Sequence, residues 1–178
     1  MENFKYSYLQ SPIGKLLLVR SRKGLKHIVF ERNILRFFHE TNSKQDCNEL
    51  IEDNTALELI KQQLEEYFCE KRYRFKIQLD ISVPPFYLKV MQEVLTIPYG
   101  KVRSYKEIAD RINNPKAFRA VGSANANNTI PIIIPCHRVI CHSGALGGYG
   151  GGLKIKKYLL KNEAVSYTHL TLPTSRSV

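Results

Sequence analysis

The stretch on which the rest of the sequence depends reads Ile130-Pro131-Ile132-Ile133-Ile134-Pro135-Cys136-His137-Arg138-Val139-Ile140. Its β-branched apolar run favours a buried strand or extended segment. The two prolines that frame the run fix φ and remove backbone donors, so we expect a rigid segment that is not a strand in the middle of a sheet. This segment presents a cysteine directly before a histidine and an arginine.

Cys136 is the candidate nucleophile of this stretch. The thiolate is the reactive form of a cysteine, and near neutral pH only a few per cent of a free cysteine is thiolate unless a neighbour lowers the pKa. We expect His137 and Arg138 to lower it. The alternative is a buried structural cysteine, the more common role of an isolated Cys. We rank that alternative lower, because three polar or ionisable residues in a row after an isoleucine run have no packing rationale.

The composition predicts a globular protein. The chain has 178 residues, of which 43% are hydrophobic, enough for one ordinary domain or two small ones. No apolar run approaches the roughly 18 residues of a membrane span, and the polar N-terminal sequence does not predict a signal peptide. Four cysteines do not make a disulfide framework in such a chain. We therefore expect a reduced thiol protein of the cytoplasm, or of the nucleus in a eukaryote.

The charge indicates an anionic partner. The formal net charge is +11 and the pI is about 9.6, which favours nucleic acid first and an acidic membrane surface second. A basic soluble protein with no such partner is the alternative, and charge alone does not decide between them.

The first part of the chain, residues 1–83, predicts a small α/β domain. Turn sequences separate three short apolar runs, which predict an antiparallel meander: Tyr6–Leu9, Lys15–Val19 and Leu25–Phe30. The polar, aperiodic segment 33–53 is predicted to be mostly loop.

A helix and a fourth strand complete this predicted domain. Apolar residues at three- and four-residue steps predict a helix that begins at a cap, Asp53 or Asn54, and ends near Phe68. Strict alternation over Phe75–Ser82 predicts a strand with one wet face. Val83-Pro84-Pro85 disfavours both an α-helix and the hydrogen-bond ladder of a β-sheet, so we place the domain boundary there.

The second part of the chain, residues 84–163, changes to a helical pattern. Its amphipathic spacing predicts three helices: Phe86–Thr96, Tyr105–Ile112 and a third that runs from the cap Asn114 and Pro115 to about Asn125. Ser104 and Glu107 have the spacing of a capping box before the second helix. Two short helices joined by a tight turn make a candidate helix-turn-helix.

The third predicted helix has an unusually bare surface. Arg119 is its one long side chain able to project, because small residues occupy most of the other positions: Ala117, Ala120, Gly122, Ser123, Ala124 and Ala126. Small residues let a backbone approach another helix or the floor of a narrow groove. Burial against a neighbouring helix, with Arg119 solvated, is the alternative. Beside a basic chain and a reactive-looking cysteine, we favour the groove.

A glycine-rich loop, residues 142–152, follows the opening stretch. It lacks the spacing and the Lys-Ser/Thr end of a phosphate-binding loop, so we expect a flexible pocket wall with Tyr149 as its aromatic face. A basic helix then runs from Leu153 to about Asn162. The pairs Cys136-His137 and Cys141-His142 leave zinc as a weaker alternative, since neither strand nor helix spacing converges four ligands without a loop between the pairs.

Taken together, these residues resemble the methylated-DNA–protein-cysteine methyltransferases, the O6-alkylguanine-DNA alkyltransferases. The resemblance is strong over residues 84–163, and the first half matches in its general plan of strands and helix. It rests on four segments: Ile97-Pro98-Tyr99-Gly100-Lys101-Val102, Ser104-Tyr105-Lys106-Glu107-Ile108-Ala109, Arg119-Ala120-Val121-Gly122, and the run from Pro131 through Pro135-Cys136-His137-Arg138-Val139 to Gly151-Gly152-Leu153. It implies an α/β fold, in which a ribonuclease H-like domain of antiparallel sheet and helix precedes a mostly helical winged helix-turn-helix domain.

The resemblance also implies a reaction. Cys136 would take the alkyl group of O6-methylguanine, and by extension of O4-methylthymine, in one irreversible transfer per molecule. His137 would act as base through a water molecule, and Glu163 would orient it. The protein is the acceptor, so no cofactor and no metal are expected.

The resemblance assigns the remaining residues to double-stranded DNA that contains alkylated guanine. Arg119 would enter the space that the flipped base vacates, with the bare helix in the minor groove. Tyr105 would donate a hydrogen bond to the leaving guanine, and Asn128 would hold the active-site turn. The residues implied to bind DNA or the base are Tyr105, Arg119, Ala120, Gly122, Asn128, Arg138, Val139 and Tyr149. A monomer and no membrane partner are expected.

Departures from the family pattern leave alternatives open. Thr129 follows Asn128 where many relatives have proline. A non-catalytic helix-turn-helix binder of alkylated DNA, or a regulator, remains an alternative, as does a cysteine hydrolase with repeated turnover. Residues 164–178 have no structural period and resemble a translated sequencing adapter, so we expect a non-native tail.

Overall fold

Two units divide the chain in the computed structural model, which describes residues 3–42 and 49–163. The first unit ends at Ser82 and also takes in Thr129–Ile133, and the second comprises Val83–Asn128 and the chain from Ile134. The sequence placed Thr129–Ile133 in the second domain. It groups with the first because the Ile28 amide donates to the Thr129 carbonyl at 2.9 Å and because Ile130 and Ile132 are fully buried.

The first unit is built on a four-stranded sheet. β1 (Phe4–Ser11), β2 (Gly14–Arg20) and β3 (Leu25–Phe30) form the predicted antiparallel meander, and β4 (Leu50–Glu52) pairs parallel to β1. The strand order is β3-β2-β1-β4. Leu16–Val19 of the inner strand β2 are fully buried, which explains why that strand is a continuous apolar run without alternation.

The prediction that segment 33–53 is mostly loop is wrong. A helix, α1 (Ile34–Asn42), and the strand β4 both fall within it, while residues 43–48 lie outside the described part of the chain. The Phe37 ring packs edge-on against His27, and the Phe38 ring packs in the same way against Tyr6. These tertiary contacts with the sheet stabilise a helix that local periodicity did not indicate.

The prediction of a strand over Phe75–Ser82 is also wrong. The segment makes one isolated bridge to β3, between Leu25 and Leu79. Earlier in the segment, the Gln63 side chain makes the hydrogen bonds that a neighbouring strand would make, because it accepts from the Lys76 amide at 2.8 Å and donates to the Lys76 carbonyl at 3.1 Å. Gln63 belongs to α2 (Asn54–Phe68), which begins as predicted at the Asp53 cap.

The second unit contains four helices among its described residues. They are α3 (Pro85–Leu95), α4 (Tyr105–Arg111), α5 (Phe118–Ala126) and α6 (Leu153–Asn162). The predicted capping box of Ser104 and Glu107 is present at the start of α4. The predicted cap at Asn114 is not, since Pro115–Ala117 form a 3-10 turn before α5 and the Asn114 side chain makes no capping hydrogen bond.

Two short strands connect the segment that contains Cys136 with the helix-turn-helix. β5 (Arg103–Ser104) pairs parallel with β6 (Val139–Ile140), in the register Arg103 to Val139. β5 leads directly into α4, and β6 directly follows the 3-10 turn Cys136–Arg138. The pairing therefore places the cysteine turn beside the start of α4.

The isoleucine run does not stay extended. Ile132 adopts a φ of 75°, a left-handed conformation that is rare for a β-branched residue. Such a residue costs on the order of 1–3 kcal/mol and persists only where its surroundings hold it, and Ile132 is fully buried.

Within the described residues, no helix is both long and apolar enough to cross a membrane.

Candidate active site

Cys136 lies in a turn that two asparagines hold. Asn128 donates from Nδ2 to the Ile134 carbonyl at 2.9 Å and to Cys136 Sγ at 3.0 Å. Asn125 donates from Nδ2 to the Cys136 carbonyl at 3.4 Å. The cysteine is 6% exposed. Asn128, which the sequence assigned to this turn, thus contacts the sulfur itself as well as the backbone.

The Glu163 carboxylate binds the side chains of two adjacent residues of the cysteine turn, His137 and Arg138. His137 Nε2 lies 2.7 Å from Glu163 Oε1, while Arg138 donates from Nε to Oε2 at 2.8 Å and from Nη2 to Oε1 at 2.9 Å. All three residues are buried. Burial alone would raise the pKa of Glu163, but hydrogen bonds and charge from His137 and Arg138 outweigh it and lower the pKa to about 2. Glu163 is therefore a carboxylate at neutral pH.

Arg138, which the resemblance implied to bind DNA or the base, is buried in this structure. Only 6% of the residue is exposed, and its guanidinium is already bound by Glu163 and by the Ile97 carbonyl, to which Nη1 donates at 2.7 Å. A buried bidentate pair of this kind fixes geometry. Arg138 thus holds Glu163 in place and ties the end of α3 to the cysteine turn.

His137 has the arrangement of a general base. Burial lowers its pKa even though Glu163 opposes that shift, so the neutral imidazole is favoured. With Nε2 facing the carboxylate, that nitrogen carries the proton in the neutral ring, and Nδ1 is left as the acceptor. Nδ1 is buried without a hydrogen-bond partner among the described residues. An imidazole of this tautomer can accept a proton at Nδ1 while Glu163 stabilises the resulting charge.

The His137 imidazole and the Arg138 guanidinium are not among the groups that lower the pKa of the Cys136 thiol. Burial raises the pKa of Cys136 to about 11, and the Asn128 hydrogen bond, the Lys156 charge and backbone N–H groups oppose that rise. Arg138 is paired with Glu163, and His137 is neutral. The thiol therefore has to lose its proton to a base before it can react, and the cation whose charge lowers its pKa is Lys156.

Lys156 is the functional candidate that sequence reasoning missed. It is fully buried on α6, and its ammonium donates to the carbonyls of Val139 at 2.6 Å, of Gly148 at 3.4 Å and of Leu146. Burial lowers its pKa to about 8. Its helical spacing could have revealed this, because Lys156 lies on the same apolar face of α6 as the buried Leu159 and Leu160. A lysine in such a stripe needs buried acceptors.

A cavity of about 460 Å³ opens beside the sulfur. Four predicted residues line it, namely Tyr105, Gly122, Cys136 and Tyr149. The predicted Val139 does not line it, and its carbonyl binds Lys156. Burial raises the pKa of Tyr105, so its hydroxyl stays protonated and can donate. No group of three or more His, Cys, Asp or Glu within residues 3–42 and 49–163 is placed to hold a metal ion.

The outer surface of α5 is open and adjoins this cavity. Val121 and Ala124 are buried, whereas Arg119 and Ala120 are exposed. The Arg119 guanidinium lies 5.8 Å from the centre of the Phe118 ring, and Phe118 itself is 45% exposed. One face of the helix thus packs inward, as the alternative interpretation required, and the other presents Arg119.

Positive charge is concentrated in the second unit. Residues 83–128 and 134–163 contain twelve Lys and Arg against four Asp and Glu. A basic helix-turn-helix with an exposed, nearly bare helix favours DNA. The cavity beside that helix is lined by Cys136, and the next residue, His137, is paired with the buried Glu163 carboxylate. Fold and site together define a DNA-directed protein with a cysteine nucleophile.

Comparison with known proteins places the chain within this class. The model of the 6-O-methylguanine DNA methyltransferase ribonuclease-like domain matches residues 4–81, and that of the DNA binding domain matches residues 85–165. The chain belongs to the 6-O-methylguanine DNA methyltransferase family.

Relatives match over most of their length. The methylated-DNA–protein-cysteine methyltransferase of Methanosarcina mazei is 43% identical over 89% of this chain and 96% of its own. The constitutive enzyme of Bacillus subtilis is 39% identical over 91% of this chain and 96% of its own. The crystal structure of Mycobacterium tuberculosis OGT in complex with DNA has a TM-score of 0.78 at 41% identity, covering 89% of this chain and 92% of that one.

Replacing Glu163 with Gln should lower the free energy of unfolding and should also weaken the dependence of that free energy on acidic pH. At pH 7 we expect a loss of about 3 kcal/mol in the free energy of unfolding, because Arg138 stays buried without a carboxylate. The folded pKa of about 2 lies below the ordinary 4.5, so this carboxylate stabilises the fold above about pH 4.5 and loses that effect as the pH falls towards 2. Urea unfolding between pH 7 and pH 3 measures both effects.

The control for this prediction is Glu58→Gln, which alters an exposed carboxylate of α2. It should leave the stability within about 0.5 kcal/mol at each pH. An acid dependence that is equally steep in Glu163→Gln and in the unaltered protein would contradict the prediction.

Proposed function

We propose that this protein repairs O6-methylguanine in double-stranded DNA by one irreversible transfer of the alkyl group to Cys136. The observation that carries the proposal is the cavity beside α5. The Cys136 sulfur lines this cavity beside the helix that exposes Arg119. The Asn128 amide lies 3.0 Å from the sulfur, and the adjacent His137 is paired with Glu163. The names of the relatives from Methanosarcina mazei and Bacillus subtilis support the same reaction.

The first step moves a proton away from the thiol. Cys136 and His137 share no direct hydrogen bond, so the proton passes to Nδ1 through a bridging water molecule, as expected for a buried acceptor without a protein partner. Glu163 stabilises the imidazolium that forms. The Asn128 amide and the Lys156 charge stabilise the thiolate, since both lower the pKa of Cys136.

The second step is a displacement at the alkyl carbon. The thiolate forms a C–S bond as the C–O6 bond breaks, and negative charge develops on the guanine. Tyr105, protonated and within the cavity, donates a hydrogen bond to the departing base, which regains one proton in balance with the proton lost by the thiol. The thioether is stable, so each molecule reacts once.

A guanine can reach Cys136 only outside the base stack. Enzymes that act on an atom of a stacked base extrude the nucleotide into a pocket. Gly122 and Ala126 of α5 line the cavity, and the same helix exposes Arg119 and Ala120. Docking of this helix in the minor groove would place Arg119 in the space that the base leaves, while the base enters the adjoining cavity.

Transfer is tested with a duplex that carries one O6-methylguanine. The unaltered protein should acquire one methyl group per molecule on the peptide that contains Cys136, and the DNA should regain guanine. Mass measurement of that peptide reads both the site and the stoichiometry. Cys136→Ala should bind the duplex without transfer.

Two other outcomes would contradict this proposal. An unmodified Cys136 in folded, DNA-bound protein would indicate the non-catalytic binder. Release of product beyond one equivalent per molecule would indicate the hydrolase.

Arg119→Ala should slow repair of duplex DNA far more than reaction with the free modified base. Without the side chain that fills the gap, extrusion becomes less favourable by a few kcal/mol, which corresponds to about a tenfold or greater loss in the duplex rate. Single-turnover rates on duplex and free base give the ratio. Lys116→Ala, an exposed charge beside α5, should weaken DNA binding and lower its salt dependence without that ratio change. Equal losses on both substrates with Arg119→Ala would argue against extrusion.

Lys156→Met should slow alkyl transfer on duplex and free base alike. The change removes the cation next to the thiolate and leaves three carbonyls without their donor, at about 1–3 kcal/mol for each buried group. We expect at least about a tenfold loss in rate, partly restored by Lys156→Arg. Single-turnover rates, with thermal unfolding as a check on folding, provide the measurement. Lys154→Met, on the exposed side of the same helix, is the control, and a full rate in folded Lys156→Met protein would contradict the assignment.

A further inference from the structure

Phe118 is a large apolar side chain on the outer surface of α5. It is the first residue of that helix and is 45% exposed. A single exposed apolar residue is common on protein surfaces, so exposure alone assigns no function to it. Two further observations do, namely its position on the helix and its contact with Arg119.

Phe118 lies on the row of α5 that leads to the reaction cavity. Residues four apart on a helix share one face, so Phe118, Gly122 and Ala126 form one row along α5. Gly122 and Ala126 line the cavity, and Phe118 precedes Gly122 by one helical turn, about 6 Å along the axis. Because the other two residues of the row are small, the Phe118 ring is the side chain of this row that projects towards a partner.

The Phe118 ring also contacts the side chain that is proposed to replace the extruded base. The Arg119 guanidinium lies 5.8 Å from the centre of the ring, which is within the range of a cation–π interaction. A long side chain loses rotamer freedom when it is fixed in one place, and a ring that holds the guanidinium before DNA binds reduces that loss. Such preorganisation lowers the cost of an interaction that is made on binding.

The chemistry of the ring fits the minor groove beside an opened base step. Proteins that kink DNA from the minor groove frequently insert an apolar wedge between base steps, and phenylalanine is one of the residues used. Burial of an exposed ring against sugars and base edges also removes apolar surface from water. A ring next to Arg119 would therefore stabilise the state in which the stack is open and the target base lies in the cavity.

We propose that Phe118 is a positioning residue for base extrusion, which acts together with Arg119 as one wedge at the edge of the cavity. Its ring orients the guanidinium and enters the minor groove beside the step that the alkylated base leaves. The inference rests on the proposed function, because extrusion precedes transfer to Cys136. It adds no chemical step, since Phe118 changes only the population of the extruded state.

The first test is the ratio of the single-turnover rate on duplex O6-methylguanine to the rate on the free modified base. Phe118→Ala should lower this ratio about tenfold, because a cation–π contact amounts to about two- to fivefold at an exposed site and to about thirtyfold once it is desolvated. Phe118→Tyr keeps the ring and should keep the ratio within about threefold of the unaltered protein. Phe118→Leu, which is apolar but has no ring, should give an intermediate ratio.

A double-mutant cycle with Arg119→Ala separates positioning from a merely structural role. Side chains that act as one unit have non-additive effects, so Phe118→Ala should lower the ratio by only about twofold when the Arg119 side chain is already absent. Equal losses in both backgrounds would overturn the inference. An unchanged ratio in folded Phe118→Ala protein would also contradict it.

Extrusion is also measured without transfer, in Cys136→Ala protein. A 2-aminopurine placed next to O6-methylguanine in the duplex becomes brighter when the stack opens, as extrusion of the target nucleotide requires. Adding Phe118→Ala should reduce this brightening at saturating protein. A signal of undiminished size would count against the inference.

Leu95→Ala is the matched control, because it also shortens an exposed apolar side chain of the second unit, one that is 41% exposed at the end of α3. It should leave the ratio within about twofold of the unaltered protein. Thermal unfolding shows whether each variant folds, and a ratio within one protein is insensitive to a partly inactive sample. No transfer of methyl from the duplex to Cys136 of the unaltered protein would instead overturn the proposed function.

Discussion

One buried carboxylate, that of Glu163, organises the reactive part of this protein. One of its oxygens lies 2.7 Å from His137 Nε2, and Arg138 donates to it from Nε at 2.8 Å and from Nη2 at 2.9 Å. Because Arg138 also donates to the Ile97 carbonyl, the same network joins the ends of α3 and α6 to the cysteine turn. A buried charge has to be paired and hydrogen-bonded to be tolerated. Here that requirement also fixes the tautomer of the histidine beside the nucleophile.

Burial shifts the pKa values of four ionisable groups of the site towards their neutral forms. It raises the pKa values of Cys136 and Tyr105 and lowers those of His137 and Lys156. The resting site therefore holds a thiol, a hydrogen-bond donor and a neutral base, and Lys156 is the cation whose charge lowers the pKa of the thiol. Groups whose environments shift them apart in this way are typical of acid–base pairs in enzymes.

The two wrong predictions in the first unit share one cause, which is contact between residues distant in the chain. Helix α1 was missed because Phe37 and Phe38 find their partners, His27 and Tyr6, on the sheet. The alternation of Phe75–Ser82 suggested a ladder, but the Gln63 side chain takes the hydrogen bonds that a neighbouring strand would have made. Where a signal was local, as in the meander of β1 to β3 or the capping box of α4, the prediction was confirmed.

By itself, the sequence determined the candidate nucleophile, the helix-turn-helix and the family, because contiguous motifs, helical period and capping residues carry these features. Only the tertiary structure decided which charges meet. Arg138 and Glu163 are 25 positions apart, and their pairing buries the Arg138 guanidinium. In the sequence, Lys156 is one of several lysines of a basic helix, and only the folded structure shows that it binds buried carbonyl groups. Charge pairing depends on distance and burial in three dimensions, and a linear pattern records neither.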